Sequence, residues 1–290
     1  MLKALLKTMR PRQWTKNAFV LAAIVFDGQI INAPAVLRSL LGVALFCLLS
    51  SAIYIINDLA DIEADRAHPK KRNRPIASGR LPVRVAILAT IVLLLISLVG
   101  AALLSLNFLW IALIYLITNL AYSKWLKHIP LIDVLILASG FVLRVGAGVS
   151  IIEVQRFSPW LYVVTTLLAL YLGFGKRRAE LTLLEGEANA HRRVLSGYTI
   201  PLLDQFITIV SGTTIVSYSL YTFSAPNLPS NHSMMLTIPF VIYGIFRYLY
   251  LIQVEKAGGE PEEMLLSDRP LQATIVLWGL TVVLFLYVLK

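Results

Sequence analysis

The stretch NDLADIEADRAHPKKRNRPIASG, residues 57–79, sets Asn57, Asp58, Asp61, Glu63 and Asp65 directly ahead of Arg66, Lys70, Lys71, Arg72 and Arg74, between runs that are almost wholly apolar. Asn57, Asp61 and Asp65 are spaced i, i+4, i+8, which on a helix places them along one face with Asp58 beside them. An apolar helix that ends in carboxylates and runs at once into a cationic loop suits a divalent metal holding a multiply phosphorylated ligand. Magnesium takes oxygen ligands, commonly one or two carboxylates plus substrate phosphates. Nearby Lys and Arg neutralise the negative charge that the metal leaves on a diphosphate. Pro69, Pro75 and Gly79 interrupt the helix and make the segment a shaped loop. A solvated cytoplasmic loop would explain the Lys and Arg but not the acids.

The flanks of this stretch decide the fold class. Of 290 residues, 58% are hydrophobic and only 14% charged, well below a soluble domain, so an all-α polytopic membrane protein is expected in a lipid bilayer. Apolar runs at roughly 18–33, 35–57, 83–105, 107–122, 131–150, 158–175, 199–223, 235–252 and 271–289 give nine spans, most of them long enough for a hydrocarbon core of about 30 Å. The first and fourth are short, and Asp27 interrupts the first. With nine spans, every Lys and Arg except Arg38, Arg144, Arg156 and Lys290 lies on or nearest the side of the N-terminus. The positive-inside rule makes that side cytoplasmic, with the C-terminus outside. The net charge of +10 is therefore topological and excludes a nucleic-acid partner.

A single transmembrane domain over 1–290 is expected, with 1–16 as an interfacial arm anchored by Trp14 and with 57–82 and 173–193 as charged cytoplasmic loops. No cleavable leader is expected, and the one cysteine, Cys47, can form no intrachain disulfide. The second charged loop follows the first by four spans, which hints at two four-helix halves with a ninth helix added.

Other polar residues stand out against this background. Lys16 and Asn17 lie at the mouth of the first span, within reach of a phosphate. YSKWLKH, residues 122–128, carries Tyr122 and Lys127 and reads by itself as an interfacial belt. Asp133 and Arg144 fall inside the fifth span, where charge is costly and marks function or pairing. Eleven residues apart, they share roughly one helical face, and Arg144 can serve as counter-ion to a buried acid or as a phosphate ligand. GFGKRRAEL, residues 173–181, clusters Lys176, Arg177 and Arg178, with Glu180 the acid that faces the site and Glu185 and Glu187 on a solvated face. Residues 259–268 read as a solvated loop, and Arg247 as a residue that snorkels or pairs with an acid.

The 57–79 stretch resembles the NDxxDxxxD and KxxRPxxxG motif of the UbiA-type intramembrane prenyltransferase superfamily. That resemblance spans essentially the whole chain. It implies nine transmembrane helices around a central cavity, with two charged cytoplasmic motifs that bind Mg2+ and a diphosphate. Most members move a prenyl group to an aromatic ring and carry a second Asp-rich motif. This chain has GKRRAEL there instead, with one acid and three cations. Together with RPRQWTKN (10–17) and YSKWLK (122–127), it is similar to the branch of decaprenyl-phosphate phosphoribosyltransferases.

The branch implies 5-phosphoribosyl 1-diphosphate as donor, a polyprenyl phosphate as acceptor, and a product used in cell-wall arabinan synthesis in a bacterial or archaeal inner membrane. On that reading Asn57, Asp58, Asp61 and Asp65 hold the metal, the three aspartates being catalytic. Lys16, Asn17, Arg66, Lys70, Arg74, Tyr122, Lys127, Asp133, Arg144, Lys176, Arg177 and Glu180 bind substrate. The rivals are an aromatic-acceptor polyprenyltransferase and a transporter built on an Asp133–Arg144 ion pair.

Overall fold

The computed structural model describes residues 1–69, 71–152, 154, 158–184, 193–225, 228–255, 264–265 and 267–289. Among them there are helices, turns and no strand. The chain divides into two compact units: Met1–Ile24, Gln29–Lys124 and Leu143–Val154 in the first, and Val25–Gly28, Trp125–Val142 and Gln155–Lys290 in the second. One division between the units falls at Lys124–Trp125, after the fourth expected span, and another lies within the fifth, since the first unit also takes in Leu143–Val154.

The first unit is built on α3 (Ala33–Ala60), whose N-cap Asn32 accepts from the Ala35 amide. Around it lie α5 (Val83–Leu104), α6 (Leu106–Lys124), the short α1 (Leu2–Met9) and a 3-10 segment, Pro11–Leu21. Phe46 at its centre meets Phe108 edge-on at 5.5 Å and Tyr115 at 5.3 Å. Gly148, near the end of α7 (Ile132–Val149), lies so close to the 3-10 segment that a Cβ there would overlap the carbonyl oxygen of Val20. Helix α5 turns Leu88, Ile91, Leu95 and Leu103 outward, the sequence of a helix whose surroundings are lipid. Trp14 is more than a headgroup anchor, since its Nε1 donates to Ser51 Oγ of α3 at 3.0 Å.

The second unit holds α8 (Pro159–Leu184), α9 (Ile200–Ser224), α10 (Ile238–Gln253) and α11 (Arg269–Val283), with the first part of α7. One core joins Val134, Tyr171, Phe174, Leu203 and Tyr248, and a second joins Tyr218, Tyr221, Met234 and Phe285.

Seven helices among the described residues are long and apolar enough to cross a membrane. The first expected span is instead the 3-10 segment followed by α2 (Ala22–Phe26) and a turn at Asp27, matching its weak sequence signal. The sixth is α8, 26 residues long and more polar because it carries the second charged motif. Residues 173–184 are thus helix rather than loop. Within α8 one charge pair is local, Arg177 bonding Glu180 one turn on.

Candidate active site

The acid motif sits where α3 ends. Asp61, with φ −98° and ψ 13°, separates α3 from α4 (Ile62–Ala67). The helical path continues across this break, because the amide of Asp61 bonds to the carbonyl of Asn57 at 3.0 Å and that of Asp65 to Asp61 at 2.8 Å. The expected line of polar residues therefore survives, but its side chains divide. Asp58 and Asp65 are buried, at 3% and 2% exposure. Nη1 of Arg74 donates to both, 3.1 Å from Asp58 Oδ1 and 2.7 Å from Asp65 Oδ2. Nη2 of Arg10 donates to the same Asp58 oxygen at 2.6 Å. Asn57 and Asp61 are half-buried, and among the described residues their side chains have no hydrogen-bond or ion-pair partner.

Local folding explains why Arg74 reaches the acids. The turn after it bonds the Ser78 amide to the Arg74 carbonyl and the Leu81 amide to the Pro75 carbonyl, and Gly79 takes a φ of 75°. Ile76 and Leu81 then plug into a core with Met9, Ile55 and Ala86, fixing the loop under the helix end. Arg66, expected beside Arg74, turns instead to Glu63 at 2.9 Å and to the Ala77 carbonyl at 3.3 Å. Lys70 lies outside the described residues. Arg10 was not among the expected site residues. It comes from 48 residues away, at a left-handed backbone position (φ 54°) where α1 ends, and its guanidinium covers the Tyr54 ring at 4.9 Å. No spacing within the motif could have disclosed it.

A single guanidinium nitrogen shared by two buried carboxylates marks a position suited to a cation. Among the described residues no three acidic, His or Cys side chains gather as a ready-made metal cage. A pair of carboxylates with a nearby amide and a third acid is nonetheless the oxygen set that Mg2+ uses when substrate phosphates and water complete its shell. The donor set fits.

A second cluster in the same unit surrounds Asn17, which is fully buried. Its Nδ2 donates to Cys47 Sγ at 3.2 Å and to Ser50 Oγ at 3.3 Å, and its Oδ1 accepts from Arg144 Nε at 2.8 Å. Arg144, 5% exposed, also donates to Tyr115 OH at 2.7 Å and stacks on that ring. Lys16 beside it is half-buried, as is Tyr122 near the end of α6.

The second unit holds the other charged motif. Arg177, 1% exposed, donates through Nε to Asp133 Oδ2 at 2.6 Å and through Nη1 to Glu180 Oε2 at 2.5 Å. Asp133 accepts a further bond from Tyr198 OH at 2.7 Å. Burial beside that carboxylate pushes the Tyr198 phenol well above its usual value, so it stays a neutral donor. Arg178 pairs with Asp204 at 2.6 Å. Lys127 and Lys176 are half-buried.

The Asp133–Arg144 ion pair on which the transporter rival rests is not favoured by this arrangement. Eleven residues put the two on one face but about 16 Å apart along the axis, and each finds nearer partners. Arg177, expected to clamp a phosphate, is enclosed by two acids and braces the helix. Glu180 is its partner. Asp133 is the acceptor at the centre of that network. Glu185 and Glu187 lie outside the described residues. The expected loop at 259–268 ends on Asp268, which bonds Arg247 at 2.7 Å and caps α11 by accepting from the Leu271 amide at 2.8 Å.

The pattern of the UbiA prenyltransferase family matches residues 17–267. The chain belongs to that family. It is 36% identical over 281 residues to a decaprenyl-phosphate phosphoribosyltransferase of Mycobacterium tuberculosis, covering 95% of this chain and 92% of that one. It is 37% identical over 293 residues to the protein of the same name from Mycolicibacterium smegmatis, covering 96% and 91%. The fold of this UbiA chain is similar to that of a UbiA homologue from Archaeoglobus fulgidus bound to GPP and Mg2+. The TM-score is 0.73 with 22% identity, over 98% of this chain and all of that one. The multi-pass, all-helical architecture read from the apolar runs is thus the architecture of the family.

Proposed function

We propose that this chain transfers the 5-phosphoribosyl group of 5-phosphoribosyl 1-diphosphate to a polyprenyl phosphate of the decaprenyl type, releasing diphosphate. The observation that carries this reading is its near-full-length likeness to relatives bearing that name, at 36% and 37% identity. A cation-rich second motif suits a donor that carries a 5-phosphate besides its diphosphate. The N-terminus and the catalytic residues are assigned to the cytoplasmic side and the C-terminus to the outside.

Asn57, Asp58, Asp61 and Asp65 would hold Mg2+, which when bound neutralises the diphosphate as leaving group. Arg66, Lys70 and Arg74 bind the donor's phosphate oxygens, Arg74 by leaving the carboxylates it bridges. Lys127 and Lys176 bind phosphate in the second unit, and Arg177, Asp133 and Glu180 support them from within. Lys16, Asn17, Tyr122 and Arg144 serve the lipid phosphate. An oxygen of that phosphate forms the bond to the anomeric carbon as the bond from that carbon to the diphosphate breaks, and the diphosphate departs with the electron pair. The attacking oxygen is already anionic, so no strong general base is required.

Purified protein given radiolabelled 5-phosphoribosyl 1-diphosphate, polyprenyl phosphate and Mg2+ tests this. Label entering the organic phase is the expected result. Transfer only from a polyprenyl diphosphate to an aromatic acceptor would replace the reading. Chelation of divalent cations should stop the transfer, and Asp61→Ala should abolish it while the protein remains monodisperse in detergent. Near-normal turnover by that variant would remove Asp61 from the metal site.

A further inference from the structure

The turn between α6 and α7 is held in an unusual way. Leu131 has a φ of 68°, a left-handed conformation that a branched side chain rarely adopts. Its amide donates to Tyr198 OH at 2.6 Å, and the same hydroxyl donates to Asp133 Oδ1 at 2.7 Å. Next to Tyr198, Gly197 approaches Pro130 so closely that a Cβ would overlap the proline ring. Tyr198 is buried at 5% exposure and Asp133 is fully buried. The other oxygen of Asp133 is taken by Arg177, which reaches on to Glu180. One phenol thus uses both its donor and its acceptor capacity to tie residues 130–133 to the 193–198 segment and, through Asp133, to α8.

The turn fixed in this way carries Lys127, in the 3-10 stretch Leu126–His128. Lys127 is half-buried and has no ion-pair or hydrogen-bond partner for its side chain among the described residues. A cation with no partner among the described residues, beside a tightly pinned backbone, is placed to meet an anion. We infer that Tyr198 is a positioning residue for donor binding: it holds the turn at 126–131 so that Lys127 is presented to a phosphate of the donor. The inference rests on the proposed role of Lys127 as a phosphate ligand. Tyr198 itself touches no reacting atom. Phenylalanine at 198 keeps the ring and its burial but leaves the Leu131 amide and Asp133 Oδ1 each without this partner, and the strained turn loses its tie.

The test is a double-mutant cycle on the full chain in detergent, with Tyr198→Phe, Lys127→Ala and the pair, reading the KM for 5-phosphoribosyl 1-diphosphate separately from kcat. Tyr198→Phe is expected to raise that KM about tenfold with kcat held within about twofold. The double variant should be no worse than Lys127→Ala alone, because the two act through one contact. Effects that multiply in full, or an unchanged KM with only a loss of active protein, would overturn the inference. Hydrogen exchange of residues 126–131 needs no substrate. Exchange should accelerate in Tyr198→Phe and stay as in the wild type in Lys127→Ala, and unchanged protection in Tyr198→Phe also overturns the inference. Failure of the wild type to transfer label would instead remove the donor assignment, and the exchange result would then decide the turn's dependence on Tyr198. If Tyr198→Phe does not fold, Gly197→Ala displaces the same segment from Pro130 and should give the same KM shift.

Discussion

Nε of Arg177 lies 2.6 Å from Oδ2 of Asp133, with the two side chains 1% and 0% exposed. A pair so enclosed tolerates the loss of both charges far better than the loss of one. Truncating a single partner of a buried pair costs about 3–5 kcal/mol. Asp133→Ala should therefore lower the unfolding midpoint in detergent sharply, and Asp133→Leu combined with Arg177→Met should recover part of the loss. A double variant less stable than either single one would show that the pair has another role.

Asn17 satisfies three groups that are themselves deep in the first unit: Cys47, Ser50 and Arg144. Asn17→Ala leaves them short of a partner, and unsatisfied buried polar groups cost about 1–3 kcal/mol. The variant should unfold at lower temperature than Tyr115→Phe, which removes one hydroxyl and keeps the stacked ring. If Arg144 serves the lipid phosphate, Asn17→Ala should also raise the KM for polyprenyl phosphate more than that for the donor. Equal stability of the wild type and Asn17→Ala would count against the network as described.

Local sequence reached a good part of this structure and stopped at a definable point. Apolar runs located the spans because lipid permits only helices whose backbone bonds are internal. The i, i+4, i+8 spacing of Asn57, Asp61 and Asp65 held because one residue of non-helical backbone at Asp61 does not disturb the hydrogen-bond path. Partners of buried charges were the illegible part. A shared helical face made Arg144 the only partner for Asp133 that sequence spacing could suggest, whereas its partners come from 44 and 65 residues further along. Arg10 reaches Asp58 across 48 residues. Such choices depend on which helices pack together, and periodicity along one helix carries no record of its neighbour.

At the end of α11 the relevant variable is pH. Asp268 lies just outside its span, and the hydrogen bond from Arg247 holds its carboxyl below the ordinary carboxylate range. A lowered folded-state value means that the ionised form is favoured by folding. The contribution is therefore complete above the ordinary range, near pH 4, and is lost as pH falls through the folded value. Asp268→Asn keeps an N-cap acceptor but not the charge. Its unfolding midpoint should start lower at neutral pH and fall less steeply on acidification than that of the wild type. Parallel curves would mean that Asp268 contributes nothing to the acid limb.

The guanidinium of Arg74 bridges Asp58 and Asp65, and on the proposed metal site a divalent cation would have to compete with it for these two carboxylates. Charge-assisted bonds of this kind contribute about 1.5–3 kcal/mol each, so their removal should strengthen metal binding in the absence of donor by roughly ten- to a hundredfold. Arg74→Gln should therefore bind Mn2+ more tightly than the wild type when titrated by electron paramagnetic resonance without donor. The same variant should bind the donor more weakly in the presence of metal, since the charge that turns to the diphosphate is gone. Opposite shifts in the two affinities are what distinguish a competing counter-ion from a residue that merely braces the loop, which would weaken both together. Unchanged Mn2+ affinity in Arg74→Gln would show that the metal does not use the Asp58–Asp65 pair.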